Sequence, residues 1–165
     1  MIEIKDKKNC VGCTACAEIC PKKCIQMKPD EEGFLYPVVD KSRCVECNAC
    51  NTVCPIQSPV DEKEKLQKAY LVQHCDEKVR LDSSAGGAFT AIATVVLQKG
   101  GVVFGAAYDE NFHVQHTYIE AVDELKKFRN SKYVQSELGD AFCLVKSFLQ
   151  KGRWVCFSGT PCQIE

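Results

Sequence analysis

The sequence lacks an excess of charge of either sign. Lysine and arginine together number 21 and aspartate and glutamate number 22, which gives a formal net charge of −1. Proteins that bind nucleic acid or an anionic membrane surface usually carry a basic excess, because positive charge attracts phosphate groups. We therefore expect neither nucleic acid nor a membrane surface among the partners of this chain.

Long apolar runs are also missing. A helix that spans a bilayer needs about 20 consecutive apolar residues, and because no segment approaches that length, no membrane span is predicted. The first ten residues, MIEIKDKKNC, contain no apolar core of a secretory signal. Together these absences favour a cytoplasmic protein.

Cysteine, in contrast, is abundant and accounts for 13 of the 165 residues. In a cytoplasmic chain so many thiols indicate metal binding rather than disulfides. Eight of them form two runs, 34 residues apart, with the same spacing C-x2-C-x2-C-x3-C-P. The first run consists of Cys10, Cys13, Cys16 and Cys20, and the second of Cys44, Cys47, Cys50 and Cys54.

This spacing is that of bacterial two-cluster ferredoxins, and it predicts two 4Fe-4S clusters. Three cysteines of a run surround one cluster, and the fourth reaches the other cluster. The expected ligand sets are Cys10, Cys13, Cys16 and Cys54 for the first cluster, and Cys44, Cys47, Cys50 and Cys20 for the second. Zinc, which takes ligands in two separated pairs, and disulfides, which need an oxidising compartment, both fit this spacing poorly.

The rest of the sequence predicts an α/β arrangement. Strands are expected at 69–74, 102–108, 113–120 and 154–157, the last as a central strand, and helices at 87–99 and 136–152. The first helix is apolar nearly all round and is expected to be buried. On the second helix one apolar face is expected to contain Leu138, Ala141, Phe142, Val145 and Leu149.

The predicted fold class is an α+β ferredoxin-like dicluster domain followed by a partial α/β domain. The first domain covers 1–60 and includes a segment of hairpin character at 33–40; prolines and a charge run mark a linker at 61–68. The second domain covers 69–165 and is expected to be a fragment, because the helix that should follow its last strand only begins there.

Two loops carry candidate cofactor contacts. Ser83, Ser84, Gly86 and Gly87 precede a helix, whose free backbone amides suit a phosphate, although such turns also serve as simple caps. The segment SGTPCQ at 158–163 follows the carboxyl end of a strand, where α/β proteins bind ligands. Its thiol can be a metal ligand, a redox group or a buried side chain. Cys24, beside the first run, either packs against a cluster or has a role there.

These segments resemble the β subunits of coenzyme F-420 hydrogenases and dehydrogenases. The resemblance is carried by the double cysteine run, SSAGGAFTAIATVVLQKGGVVFGAAYD (83–109), FRNSKYVQSELGD (128–140) and VCFSGTPCQIE (155–165). It implies that the α/β part holds FAD and exchanges a hydride with F-420 or another hydride carrier. Single electrons then pass through the clusters to a redox partner protein or subunit.

The resemblance also implies roles for individual residues. Ser83, Ser84, Gly86 and Gly87 become candidates for the FAD phosphates, and Ser131, Lys132 and Tyr133 for the flavin pocket. Thr160 and Cys162 become cofactor-pocket candidates. No catalytic residue is assigned, and the three histidines are expected to be ordinary polar residues.

Two functions therefore remain open at the level of sequence. The first is an iron–sulfur flavoprotein oxidoreductase subunit, and the second is a ferredoxin-like electron carrier without flavin or catalysis of its own.

Overall fold

The structure, a computed structural model, describes residues 1–59 and 68–164. Its helices are α1 (Ala15–Glu18), α2 (Ala49–Thr52), α3 (Glu77–Leu81), α4 (Ala88–Gln98), α5 (Ala141–Gln150) and α6 (Pro161–Ile164). The strands are β1 (Ile25–Pro29), β2 (Leu35–Val39), β3 (Val102–Tyr108), β4 (Val114–Ile119) and β5 (Val155–Phe157). Within the described ranges, no helix is long and apolar enough to cross a membrane.

The described residues form two compact units. Residues 1–59 together with 160–164 make the cysteine unit, and residues 68–159 make the sheet unit. The predicted linker at 61–68 lies outside the described residues except for Lys68. Residues 160–164, which the sequence assigns to the second domain, belong to the cysteine unit.

The two cysteine runs begin as equivalent loops. Each loop continues into a single helical turn, α1 or α2. Gly12 and Thr14 in the first loop have φ angles of 63° and 62°, and the equivalent Glu46 and Asn48 in the second have 52° and 63°. A left-handed conformation costs a residue with a side chain roughly 1–2 kcal/mol. Because the reversal recurs at equivalent positions with different side chains, loop geometry rather than residue preference imposes it.

The hairpin in the cysteine unit pairs β1 with β2 in antiparallel register, from Ile25 opposite Val39 to Pro29 opposite Leu35. Its turn is held by the Asp30 carboxylate, which accepts hydrogen bonds from two backbone N–H groups. The predicted hairpin character of 33–40 is confirmed. The hairpin packs over a buried cluster that consists of Ile2, Cys16, Cys20, Cys24, Ile25 and Cys50.

The sheet unit contains a three-stranded sheet in the order β4-β3-β5, with β3 antiparallel to β4 and parallel to β5. The strands predicted at 102–108 and 113–120 are confirmed. Among the described residues β3 is the central strand and β5 pairs with β3 alone, so the prediction of a central strand at 154–157 is wrong. Trp154 lies outside β5 and is 56% exposed. The continuous apolar run of β3 suits a strand that is buried on both faces.

The strand predicted at 69–74 does not form. Tyr70, Leu71 and Val72 are exposed, and the segment belongs to neither sheet. Its apolar pattern resembles that of a strand, but a strand also requires a partner edge to pair with. The segment is anchored instead by the His74 N–H, which donates to the carbonyl oxygen of Gly86 at 2.6 Å.

Helices α4 and α5 each bury one face. The α4 helix is confirmed, but its all-round burial is wrong, because Ile92 and Val95 are exposed while Ala93 and Leu97 face the core. The α5 helix is shorter than the predicted 136–152. Its predicted face packs around Phe104, except for Leu149, which is exposed. A helix that covers a small sheet contacts it along one stripe only.

Candidate metal centres

One cavity of the cysteine unit is lined by four cysteines. The space among its lining residues, part of it open to solvent, is about 370 Å³, and its thiols are those of Cys10, Cys13, Cys16 and Cys54. Apolar side chains such as Ile2, Ile4, Met27 and Ile56 form much of the remaining wall. Three of the thiols therefore come from one run and the fourth comes from the other.

A second cavity repeats this arrangement with the runs exchanged. The space among its lining residues, part of it open to solvent, is about 350 Å³, and it is lined by Cys20 of the first run and by Cys44, Cys47 and Cys50 of the second. Cys24 lines it as a fifth cysteine. The two cavities thus bring together the two ligand sets that the spacing predicts.

The donors in both cavities suit iron–sulfur clusters, which cysteine thiolates hold. Among residues 1–59 and 68–164, no three His, Cys, Asp or Glu side chains come together closely enough to hold a single metal ion. The four thiols of each set instead line one shared cavity, three from one run and one from the other. Four cysteine thiolates are the ligand set of a 4Fe-4S cluster.

Burial dominates the electrostatics of the first cavity. It raises the pKa of Cys13, and it raises the pKa of Cys16 to about 12. Hydrogen bonds from the backbone N–H groups of Ala15 and Ala17 oppose this effect without cancelling it. Such thiols stay protonated at neutral pH unless a metal supplies compensating positive charge.

In the second cavity, hydrogen bonds outweigh burial at Cys20. Burial acts to raise the pKa of Cys20. Hydrogen bonds from the backbone N–H and the thiol of Cys24, whose sulfur lies 3.4 Å from that of Cys20, lower it. The backbone N–H groups of Lys22 and Lys23 lower it further. The pKa of Cys24 is raised because its thiol donates the hydrogen bond to Cys20. Cys24 is therefore both a buried packing residue and a hydrogen-bond donor to a predicted ligand.

Two further backbone donors reach sulfur atoms in the second set. The Ile2 N–H donates to Cys50 Sγ at 3.2 Å, and the Glu46 N–H donates to Cys44 Sγ at 3.4 Å. Hydrogen bonds to sulfur are among the factors that set cluster potentials. The left-handed Glu46 thus directs its N–H at a sulfur atom of its own loop, and this hydrogen bond gives the left-handed conformation at that position a role.

Two cofactor candidates from the SGTPCQ segment lie in the cysteine unit. Thr160 Oγ1 and Cys162 Sγ are 3.2 Å apart, and the side chain of buried Gln163 accepts a hydrogen bond from the Thr160 N–H. Cys162 is near enough to Cys13 to contribute to raising the pKa of that thiol. The remaining cofactor candidates belong to the sheet unit.

The Ser/Gly turn before α4 is tied to its surroundings. Ser83 Oγ donates to the Val79 carbonyl at 2.6 Å, and Ser84 Oγ donates to Asn130 Oδ1 at 2.8 Å. A Cβ at Gly86 would overlap the carbonyl oxygen of Val72. Gly87 is the N-cap of α4, with a φ of 80°, and it has no side chain with which to cap the helix. The serines and Gly86 therefore have structural roles, while the N-cap position supplies no side-chain cap to α4.

The loop at 129–133 lies beside this turn. Arg129 forms an ion pair with Asp82 at 3.2 Å. Lys132 Nζ donates to the carbonyls of Lys127 and Arg129, and burial lowers the pKa of Lys132. The structure thus brings together two of the segments in which the resemblance predicts flavin contacts. Ser131 and Tyr133 are exposed.

His116 is a residue whose position the sequence reasoning missed. Its ring stacks on Phe157 with centroids 5.0 Å apart, and Nε2 donates to the Ser158 carbonyl at 2.9 Å. Because that carbonyl only accepts, Nδ1 is left to accept from Ser136 Oγ at 2.7 Å. His116 thereby fixes the first residue of the SGTPCQ segment. The alternating pattern of β4, which points His116 inward, was the signal for it.

His116 gives a pH-dependent prediction. Burial lowers the pKa of His116 below its ordinary value of 6.5, so the neutral ring stabilises the fold above that value and the effect is lost as pH falls. We expect the free energy of unfolding of the wild type to exceed that of His116→Gln by about 1 kcal/mol at pH 8. This difference should shrink at pH 5.5. Urea unfolding followed by fluorescence of the single tryptophan, Trp154, measures it. A constant difference between pH 8 and pH 5.5 would contradict the prediction.

Comparison with known proteins adds an independent result. Residues 9–58, just under a third of the chain, match the family described as 4Fe-4S dicluster domain. No curated protein is detectably similar to the chain. The N-terminal part is therefore a 4Fe-4S dicluster domain, followed by a mixed α/β region. A domain of this kind has two 4Fe-4S clusters and indicates electron transfer to a partner. These comparisons identify neither a flavin nor the F-420 family.

Proposed function

We propose that this chain relays electrons through two 4Fe-4S clusters with crossed ligation. One cluster is held by Cys10, Cys13, Cys16 and Cys54, and the other by Cys20, Cys44, Cys47 and Cys50. The observation that carries the proposal is the pair of cavities, each lined by three thiols of one run and one of the other. Each cluster accepts or gives one electron at a time, and the chain holds both within one folded unit.

The second cluster is the one that exchanges electrons with a redox partner. Cys47 is the one exposed thiol among the eight proposed ligands, and two thiols of each set are buried. Electron exchange between proteins needs a cluster near the surface, and the exposed ligand Cys47 favours the second cluster for this role. The first cluster then acts as the inner member of the relay.

We further propose that the sheet unit belongs to a flavin-binding part of the F-420 hydrogenase and dehydrogenase β-subunit type. Its support is the resemblance together with the adjacency of the 83–87 turn and the 129–132 loop. The α4 N-terminus, without a side-chain cap, suits an anionic phosphate, and Lys132 adds positive charge to the neighbouring loop. FAD, when bound, accepts a hydride and releases electrons singly. Residues 131–133 are the proposed contacts for its remainder within the sheet unit.

Cofactor analysis of anaerobically purified protein tests both proposals. Two clusters predict about eight irons and eight sulfides per chain, and a flavin part predicts about one FAD per chain as well. About eight irons without flavin, before and after incubation with FAD, would support the electron carrier and reject the flavoprotein. About four irons or none would reject the two-cluster relay.

A screen of hydride donors, including reduced F-420, separates the two functions further. Saturable oxidation of such a donor by the flavin-loaded chain supports the oxidoreductase subunit. The electron carrier alone predicts reduction by a low-potential one-electron donor and no turnover with any hydride donor.

A further inference from the structure

Thr14 places an unpaired hydroxyl at the first cavity. Thr14 lines this cavity, and its Oγ1 is buried with no hydrogen-bond partner among residues 1–59 and 68–164. Thr14 precedes α1 but forms no side-chain cap, because its backbone is left-handed. A buried hydroxyl without a partner is unfavourable, so its position beside a predicted cluster calls for an acceptor there.

The equivalent position in the second loop differs. Asn48 also lines its cavity, but its Oδ1 already accepts a hydrogen bond from Asn51 Nδ2 at 2.6 Å, and the residue is exposed. The backbone around the two residues matches closely, with each carbonyl accepting from the N–H groups three and four residues later. The two loops thus have the same backbone conformation, but the polar residue that lines the cavity is Thr14 in one and Asn48 in the other.

We infer that the Thr14 hydroxyl donates a hydrogen bond to a sulfur atom of the first cluster and raises the reduction potential of that cluster. This inference rests on the proposed two-cluster function. Reduction adds an electron and increases negative charge on the sulfurs, so a donor stabilises the reduced cluster more than the oxidised one. Thr14 is a tuning residue, since it neither ligates iron nor moves a proton.

Thr14→Val is the matched test, because valine keeps the β-branched shape in the left-handed conformation and removes the hydroxyl. From the net strength of a typical hydrogen bond we expect about a fivefold shift in the reduction equilibrium of one cluster, roughly 40 mV at 59 mV per tenfold. EPR-monitored redox titration of the full chain measures it. The potential of the other cluster serves as an internal control, and Thr14→Ser should retain the wild-type value.

The outcomes separate the inference from the function on which it rests. Wild-type protein without about eight irons would reject the two-cluster function itself. Full iron in Thr14→Val with both potentials unchanged would overturn the inference, as would Thr14→Ser shifting as far as valine. If Thr14→Val fails to assemble its clusters, Thr14→Ala, which removes the hydroxyl together with the β-branch, must show the same fall in one potential.

Discussion

We expect the replacement of Cys54 by alanine to lower the iron content from about eight atoms per chain to about four. Cys54 is the one thiol of the second run that lines the first cavity, and the remaining thiols there cannot complete a four-cysteine set. The second cavity keeps all four of its predicted ligands. Iron and sulfide analysis of anaerobically purified variants measures the loss, and Cys75→Ala, an exposed thiol in the sheet unit, is the control that should keep full iron.

Paired variants distinguish crossed from uncrossed ligation. With crossed ligation, Cys10→Ala combined with Cys54→Ala removes two ligands of the same cluster and leaves about four irons. Cys47→Ala combined with Cys54→Ala removes one ligand from each cluster and leaves almost none. If each run held its own cluster, the two pairs would give the opposite results, so the experiment decides between the arrangements without reference to either potential.

Gly86→Ala should destabilise the sheet unit by about 2–3 kcal/mol, the upper part of the range for overpacking a tightly packed site. A Cβ there overlaps the carbonyl oxygen of Val72 and comes within 3.1 Å of the Gln73 Cα, and backbone atoms cannot rotate away. For a unit of this size the loss lowers Tm by roughly 10–20 °C. Trp154 is the only tryptophan, so its fluorescence reports unfolding of the sheet unit alone.

The control for this substitution is Ser84→Ala in the same turn. It removes one exposed hydrogen bond, from Ser84 to Asn130, and should cost less than about 1 kcal/mol. If Gly86→Ala has the same Tm as the wild type, segment 72–74 does not pack against the turn. The pair also tests why glycine is present, because a phosphate-binding role alone predicts lost FAD binding with unchanged Tm.

The grouping of thiols around each cavity could be predicted from sequence because most of its information is local. Three cysteines within seven residues, such as Cys10 to Cys16, define a loop whose geometry depends little on the rest of the fold. The β3 strand was predictable for a similar reason, since its seven apolar residues suit a central position. In both cases one short segment carries enough chemistry to determine its own structure.

Features that depend on a distant partner were not predictable. The apolar pattern of 69–74 is typical of a strand. The structure instead joins this segment to Gly86 by one backbone hydrogen bond rather than by the ladder of hydrogen bonds of a β-sheet. The apolar side chains of α4 do not reveal that Ile92 and Val95 face outward, because that depends on how much sheet the helix covers. Likewise, His116 gains its role only when Ser158, far along the chain, is brought beside it.

The exchange of one cysteine between the two loops has a consequence for synthesis on the ribosome. With the proposed ligation, the second cluster gains its last ligand when Cys50 emerges, and the first when Cys54 emerges four residues later. Neither cofactor can be completed while only the first run is available. With this ligation the two ligand sets are completed within four residues of each other, and a nascent chain stalled before residue 50 holds the first run without a complete ligand set for either cluster.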